Sequence, residues 1–141
     1  MSTVFREHTE LAAPDRLRLA LRVDGWATGA FGVIMLAGAM PLRDPLGLPT
    51  TWSIPFGVAM IGGGLALLLI AGYPAISSRH AAAVVAVNSA SAVGMTVLAF
   101  SGLIELTGLG VIFLLIGALI VAGFAGAEYL GLRQAGATMG G

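Results

Sequence analysis

Charged residues divide this chain into four long apolar intervals. Gly25–Leu42 is uncharged over 18 residues, and Pro45–Ser78 is uncharged around an apolar core at Ser53–Tyr73. Ala81–Ile104 is uncharged over 24 residues and Leu106–Ala127 over 22. A helix needs roughly 20 residues to cross a hydrocarbon core, so each interval can supply one crossing. The intervals are continuously apolar rather than alternating, and too few to close a barrel, which removes strands from consideration. The pattern predicts an all-α membrane protein, a bundle of four transmembrane helices near 15–40, 53–73, 79–101 and 107–132. These make one domain over 13–133, flanked by tails at 1–12 and 134–141 that read as disordered.

Local signals agree with four helices. Pro14-Asp15 suits a first turn. Ser53 or a nearby Thr, Ser77 or Ser78, and Thr107 are candidate N-caps for the second, third and fourth helices. Pro41, Pro45 and Pro49 predict an extended, stiff connection over 41–52. The run 62-GGG-64 marks a place where the second helix could bend. An A-x-A-like site at Ala37-Gly38-Ala39 raises a cleaved signal peptide as a rival reading. The acidic residues of the preceding flank and the length of the apolar run weigh against it.

Composition enforces the membrane assignment: 57% of the residues are hydrophobic and 10% charged, against roughly 25% charged in an ordinary soluble domain. Net charge is zero, so no basic field recruits nucleic acid. All seven basic residues are arginine, and their placement predicts orientation. With both termini cytoplasmic, Arg6, Arg16, Arg18, Arg22, Arg79 and Arg133 lie inside and only Arg43 outside, as the positive-inside rule requires. Leu17 and Leu21 share one side of the first helix and Arg18 and Arg22 another, which reads as a snorkelling collar beside anionic lipid.

Polar groups inside the spans are the candidate chemistry. Asp24, Asn88 and Glu128 fall at similar depth on three helices, in the half nearer the termini. Asp24, Thr28, Phe31 and Met35 form one stripe; Asn88, Ala92, Met95 and Ala99 form another. Two readings stay open. In one, the three residues make a cytoplasm-facing polar pocket for a proton, cation or small polar ligand. In the other, favoured one, they make a structural clasp, with Arg22, Arg79 or Arg133 as ion-pair partners of the acids. Glu128 is expected to face the bundle interior.

Small residues indicate where helices approach. Gly25, Gly29 and Gly32 form a GxxxG-type ridge on the first helix, and Ala118, Ala122 and Gly126 a ridge on the fourth, with contacts inside one chain favoured over contacts between copies. Sliding the chain by 64 residues sets Val23-Asp24 on Val87-Asn88 and Gly38 on Gly102. This would be a parallel repeat of two hairpins, although coincidence is the favoured account in so apolar a chain.

Signatures of catalysis are missing from the sequence. His8 and His80 have no metal-ligand spacing, no serine sits in a nucleophile elbow, and cysteine is absent. No cofactor or metal site is expected. The residues Leu21, Arg22 and Asp24, then Val87-Asn88, then Ala127 through Arg133 resemble an uncharacterised group of small bacterial four-helix integral membrane proteins. The resemblance implies a bacterial inner-membrane location and supplies no activity. The expectation is a non-enzymatic scaffold, accessory subunit or homo-oligomer, with the lipid bilayer and other membrane proteins or its own copies as partners. The alternative is a small transporter or channel using Asp24, Asn88 and Glu128.

Overall fold

The structure, a computed structural model, describes the backbone of residues 2–140 and the side chains of residues 15–135. Its helices are α1 (Ser2–Ala37), α2 (Ala39–Leu46), α3 (Thr50–Ala71), α4 (Ser78–Ser101) and α5 (Gly108–Gly140). Four are long and apolar enough to cross a membrane, over Asp15–Ala37, Thr50–Ala71, Ser78–Ser101 and Gly108–Ala135. The start expected at Pro14 and nearly all of the expected tails lie outside the residues with described side chains; Gln134 and Ala135 belong to α5.

Helix α1 packs along α3 and also against α5, while α4 packs along α5. Leu17 on α1 meets Gly131 on α5, so the two ends of the chain emerge from the same end of the bundle. At that terminal end Leu17 and Leu21, Leu67 and Ala71, and Ala81 and Val84 form one apolar core. At the distal end Met35, Leu46, Leu48 and Ile104 form another, flanked by Phe31, Trp52, Phe56, Met60, Leu98 and Phe113. Phe31 stacks on Phe113 at 5.4 Å between centroids.

Glycine sets the α1–α3 distance. A Cβ on Gly64 would stand 2.7 Å from both the Gly25 oxygen and the Gly29 nitrogen, and one on Gly32 would stand 2.8 Å from the Gly57 oxygen. The α1 ridge therefore serves a contact within the chain. Helix α3 is continuous through Gly62–Gly64, and Gly64 there serves the close approach to α1. The α5 ridge is corrected: Ala118 is buried, but Ala122 and Gly126 are exposed, and nothing lies within 4 Å of a Cβ built on Gly126. The buried stripe of α5 is instead Leu114, Ala118, Ala125, Glu128 and Gly131.

The distal connection also departs from expectation. Residues 39–46 form the helix α2 rather than an extended segment. Backbone bonds from Gly38 to Ile34 and from Leu42 to Gly38 carry the helix across its break almost without loss. Pro41, which has no N–H to offer, falls just past this break. Gly47 ends α2 in the left-handed conformation at φ 65°. Thr107 then joins α2 to α5: its hydroxyl donates to the Pro45 oxygen at 2.7 Å, its N–H donates to the Leu46 oxygen at 3.1 Å, and its Oγ1 accepts from Gly110 N–H. Thr107 thus caps α5 and Ser77 caps α4, as expected, whereas Pro49 precedes α3 without a side-chain cap and Ser53 bonds back to the Pro49 oxygen.

Arg18 is a clamp rather than part of a lipid collar. Its guanidinium donates to the carbonyls of Ala71, Tyr73 and Pro74, closing the end of α3. Orphan carbonyls and the negative end of the helix dipole both favour a cation there.

Burial does not follow the 64-residue interval: Leu17 and Ala81, Met35 and Ala99, and Leu67 and Gly131 are buried together, but buried Gly25, Gly32, Ala39 and Leu48 fall opposite exposed Ser89, Thr96, Leu103 and Ile112.

Candidate functional site

Between the two apolar cores lies a polar layer. Asp24 on α1 comes one turn beyond Leu21, Asn88 on α4 one turn beyond Val84, and Glu128 on α5 one turn before Leu132. At 1.5 Å per residue, the layer stands about 10–15 Å inside the terminal ends of the apolar spans Asp15–Ala37, Ser78–Ser101 and Gly108–Ala135. It is nearer that end of the bundle than the other. The α3 residue at the same level is Gly64, which adds no side chain.

The three predicted residues meet. Asn88 Nδ2 donates to Asp24 Oδ2 at 2.8 Å and to Glu128 Oε1 at 2.7 Å. Thr28, one turn along α1, donates its hydroxyl to Asp24 Oδ1 at 2.8 Å. Glu128 is 0% exposed and Asp24 2%, so protein closes both carboxyls off. Glu128 Oε2 is buried and has no hydrogen-bond partner.

Thr28 was legible as a member of the Asp24 stripe but not as part of the site. The signal available was its four-residue spacing from Asp24, which places a hydroxyl on the same face one turn away. The rest of both stripes packs as spaced: Met35 is buried, Phe31 stacks on Phe113, and Met95 reaches Gly117.

The arginine clasp does not form. Arg22, Arg79 and Arg133 are exposed, and none is bonded to Asp24 or Glu128. The ion pair among the described residues is Arg43–Asp44 at 3.2 Å, on the exposed face of α2. Lysine is absent from the chain and Arg18 is occupied at the α3 terminus, so the layer holds two carboxyls without a basic side chain. A pair of uncompensated charges in so dry a place is costly. The layer therefore calls for a proton or a cation to balance it.

The surface depressions are elsewhere. One is apolar and lies between α4 and α5, lined by Ala92, Thr96, Leu115, Ala118 and Ala122. Another lies at the distal end of α4, around Gly94, Leu98 and Gly102. Neither is lined by Asp24, Asn88 or Glu128. No protein-family model, curated protein or solved structure matches the chain.

Proposed function

We propose that this small multi-pass membrane protein binds and exchanges a proton or small cation at Asp24, Asn88 and Glu128, as the coupling site of a transporter or channel. One observation carries the reading: two buried carboxyls share the amide of Asn88 and have no basic partner. A clasp serving only stability is better made with an arginine or an apolar contact, since an uncompensated buried acid weakens a bundle. Ionisable groups held inside a membrane bundle are the usual elements of ion and proton paths.

Both termini are placed in the cytoplasm, from the arginine distribution, which puts the polar layer in the cytoplasmic half of a bacterial inner membrane. Access then requires the terminal core around Leu17, Leu21, Ala81 and Val84 to part. Helix α4 is the element suited to that motion, because 6% of its span is buried against 22–28% for the others.

The test is reconstitution. Purified protein in liposomes holding a pH-sensitive dye should dissipate an imposed proton gradient or potential faster than protein-free vesicles, and Asp24→Asn should abolish the excess. Flux equal to that of empty vesicles under proton and sodium gradients alike, or flux untouched by Asp24→Asn, defeats the reading.

A scaffold, accessory subunit or homo-oligomer is the second reading. The exposed small residues Ala82, Ala86, Ala90 and Gly94 at four-residue spacing on α4 favour it, since such a ridge lets another helix approach closely. Cysteine cross-linking at Ala86 in native membranes tests it, and a strictly monomeric pattern with no partner adduct counts against it.

A further inference from the structure

We infer that the species held in the polar layer is a single proton, and that it sits on Oε2 of Glu128. The inference rests on the ion-exchange reading above and specifies its ion and its atom. It comes from counting donors against acceptors. The layer contains four carboxyl oxygens. Thr28 supplies one O–H donor and Asn88 supplies two N–H donors. Those three donors go one each to Asp24 Oδ1, Asp24 Oδ2 and Glu128 Oε1. The fourth oxygen, Glu128 Oε2, is buried and unserved.

A buried carboxylate oxygen without a donor is among the most expensive groups a protein can hold, more so inside a membrane. A proton removes the cost. It converts Oε2 from an orphan acceptor into an O–H, and the Asp24 carboxyl beside it has lone pairs to receive that hydrogen bond. One negative charge then remains, on Asp24, and it accepts from Thr28, Asn88 and the new hydroxyl. On loading, one O–H bond forms at Oε2 and its hydrogen bond to Asp24 with it; on release, both are lost and the proton leaves to water, with no other covalent bond changing.

A metal cation suits the layer less well. Both N–H bonds of Asn88 already point at the carboxyls, so its amide presents donors rather than its oxygen to the shared space. Gly64 adds no ligand from α3. The polar side chains bonded into the layer are therefore Asp24 and Thr28 from α1 and Asn88 from α4. Arg22, Arg79 and Arg133 lie exposed at the surface.

Infrared spectroscopy of the full chain in lipid bilayers at neutral pH reads the proton directly, through the carbonyl stretch of a protonated carboxylic acid. The wild-type protein should show this band in sodium-free buffer and keep it in saturating sodium. Glu128→Gln should remove it, because the glutamine amide supplies the missing donor.

A wild-type protein without the band, a band erased by sodium, or a band undiminished in Glu128→Gln overturns the assignment. The wild-type comparison with and without sodium needs no variant to fold. Failure here is separable from failure of the transport reading. Flux without the band keeps an ion path and removes the proton seat, whereas the band without flux keeps the seat and removes transport.

Discussion

Arg18 on α1 donates to the backbone carbonyl of Tyr73, 55 residues later in the chain and 2.6 Å away. The same guanidinium reaches Ala71 at 2.5 Å and Pro74 at 3.3 Å. One planar group thus ties the start of the first crossing to the end of the second and to the loop that begins the third. Arg18→Ala should lower stability by about 1.5–3 kcal/mol, the range for hydrogen bonds involving a charged group. Arg18→Lys should recover only part, because an ammonium lacks the fork geometry that serves several carbonyls together. Thermal unfolding in detergent micelles measures both; a midpoint unmoved by Arg18→Ala would show that water serves those carbonyls equally well.

Neighbouring glycines on α3 should respond in opposite ways. Gly64→Ala forces a methyl against the backbone of Gly25 and Gly29 and should cost about 1–3 kcal/mol. Gly62→Ala meets nothing within 4 Å and should stabilise by about 0.4–1 kcal/mol, through the helix preference of alanine. Equal shifts in the two variants would mean that the α1–α3 contact is looser than described.

Glu128 should tolerate loss of charge and not its reversal. Glu128→Gln keeps shape and hydrogen bonding and should fold with little loss. Glu128→Arg brings an oversized cation into a fully buried position and should cost about 3 kcal/mol or more. The yield of monodisperse protein and its unfolding midpoint decide the matter. A well-folded Glu128→Arg would show that the polar layer opens to water far more readily than its burial implies.

Orientation is tested by labelling. A cysteine at Asp44, on the exposed face of α2, should react with a membrane-impermeant thiol reagent in intact cells. One at Ser77, at the opposite end of the bundle, should react only after the membrane is opened. The reverse pattern would place both termini outside.

The membrane helices were readable because charge and hydropathy alone decide what can sit in lipid. Asp24, Asn88 and Glu128 were readable as a group because helical rise converts distance from a flanking arginine into depth. Their partners were not. An arginine near a carboxylate in sequence suggests a pair, but Arg22, Arg79 and Arg133 remain at the surface, and the amide of Asn88 takes their place. The helical turns at 41–46, inside the connection expected to be extended over 41–52, escape the sequence for a different reason. Three prolines argue against a long helix, yet Pro41 falls in the first turn of α2, where a missing N–H costs little, and the terminal carbonyl oxygens of Pro45 and Leu46 are taken by Thr107. That contact spans more than 60 residues and leaves no local trace.

Asp24 on α1 and Glu128 on α5 lie far apart in the chain, and a single amide on a third helix, α4, holds both. An outward shift of α4 therefore withdraws both donors in one movement. The two acids would lose their shared partner together rather than in turn, so the arrangement couples the position of one helix to the charge that the other two can carry.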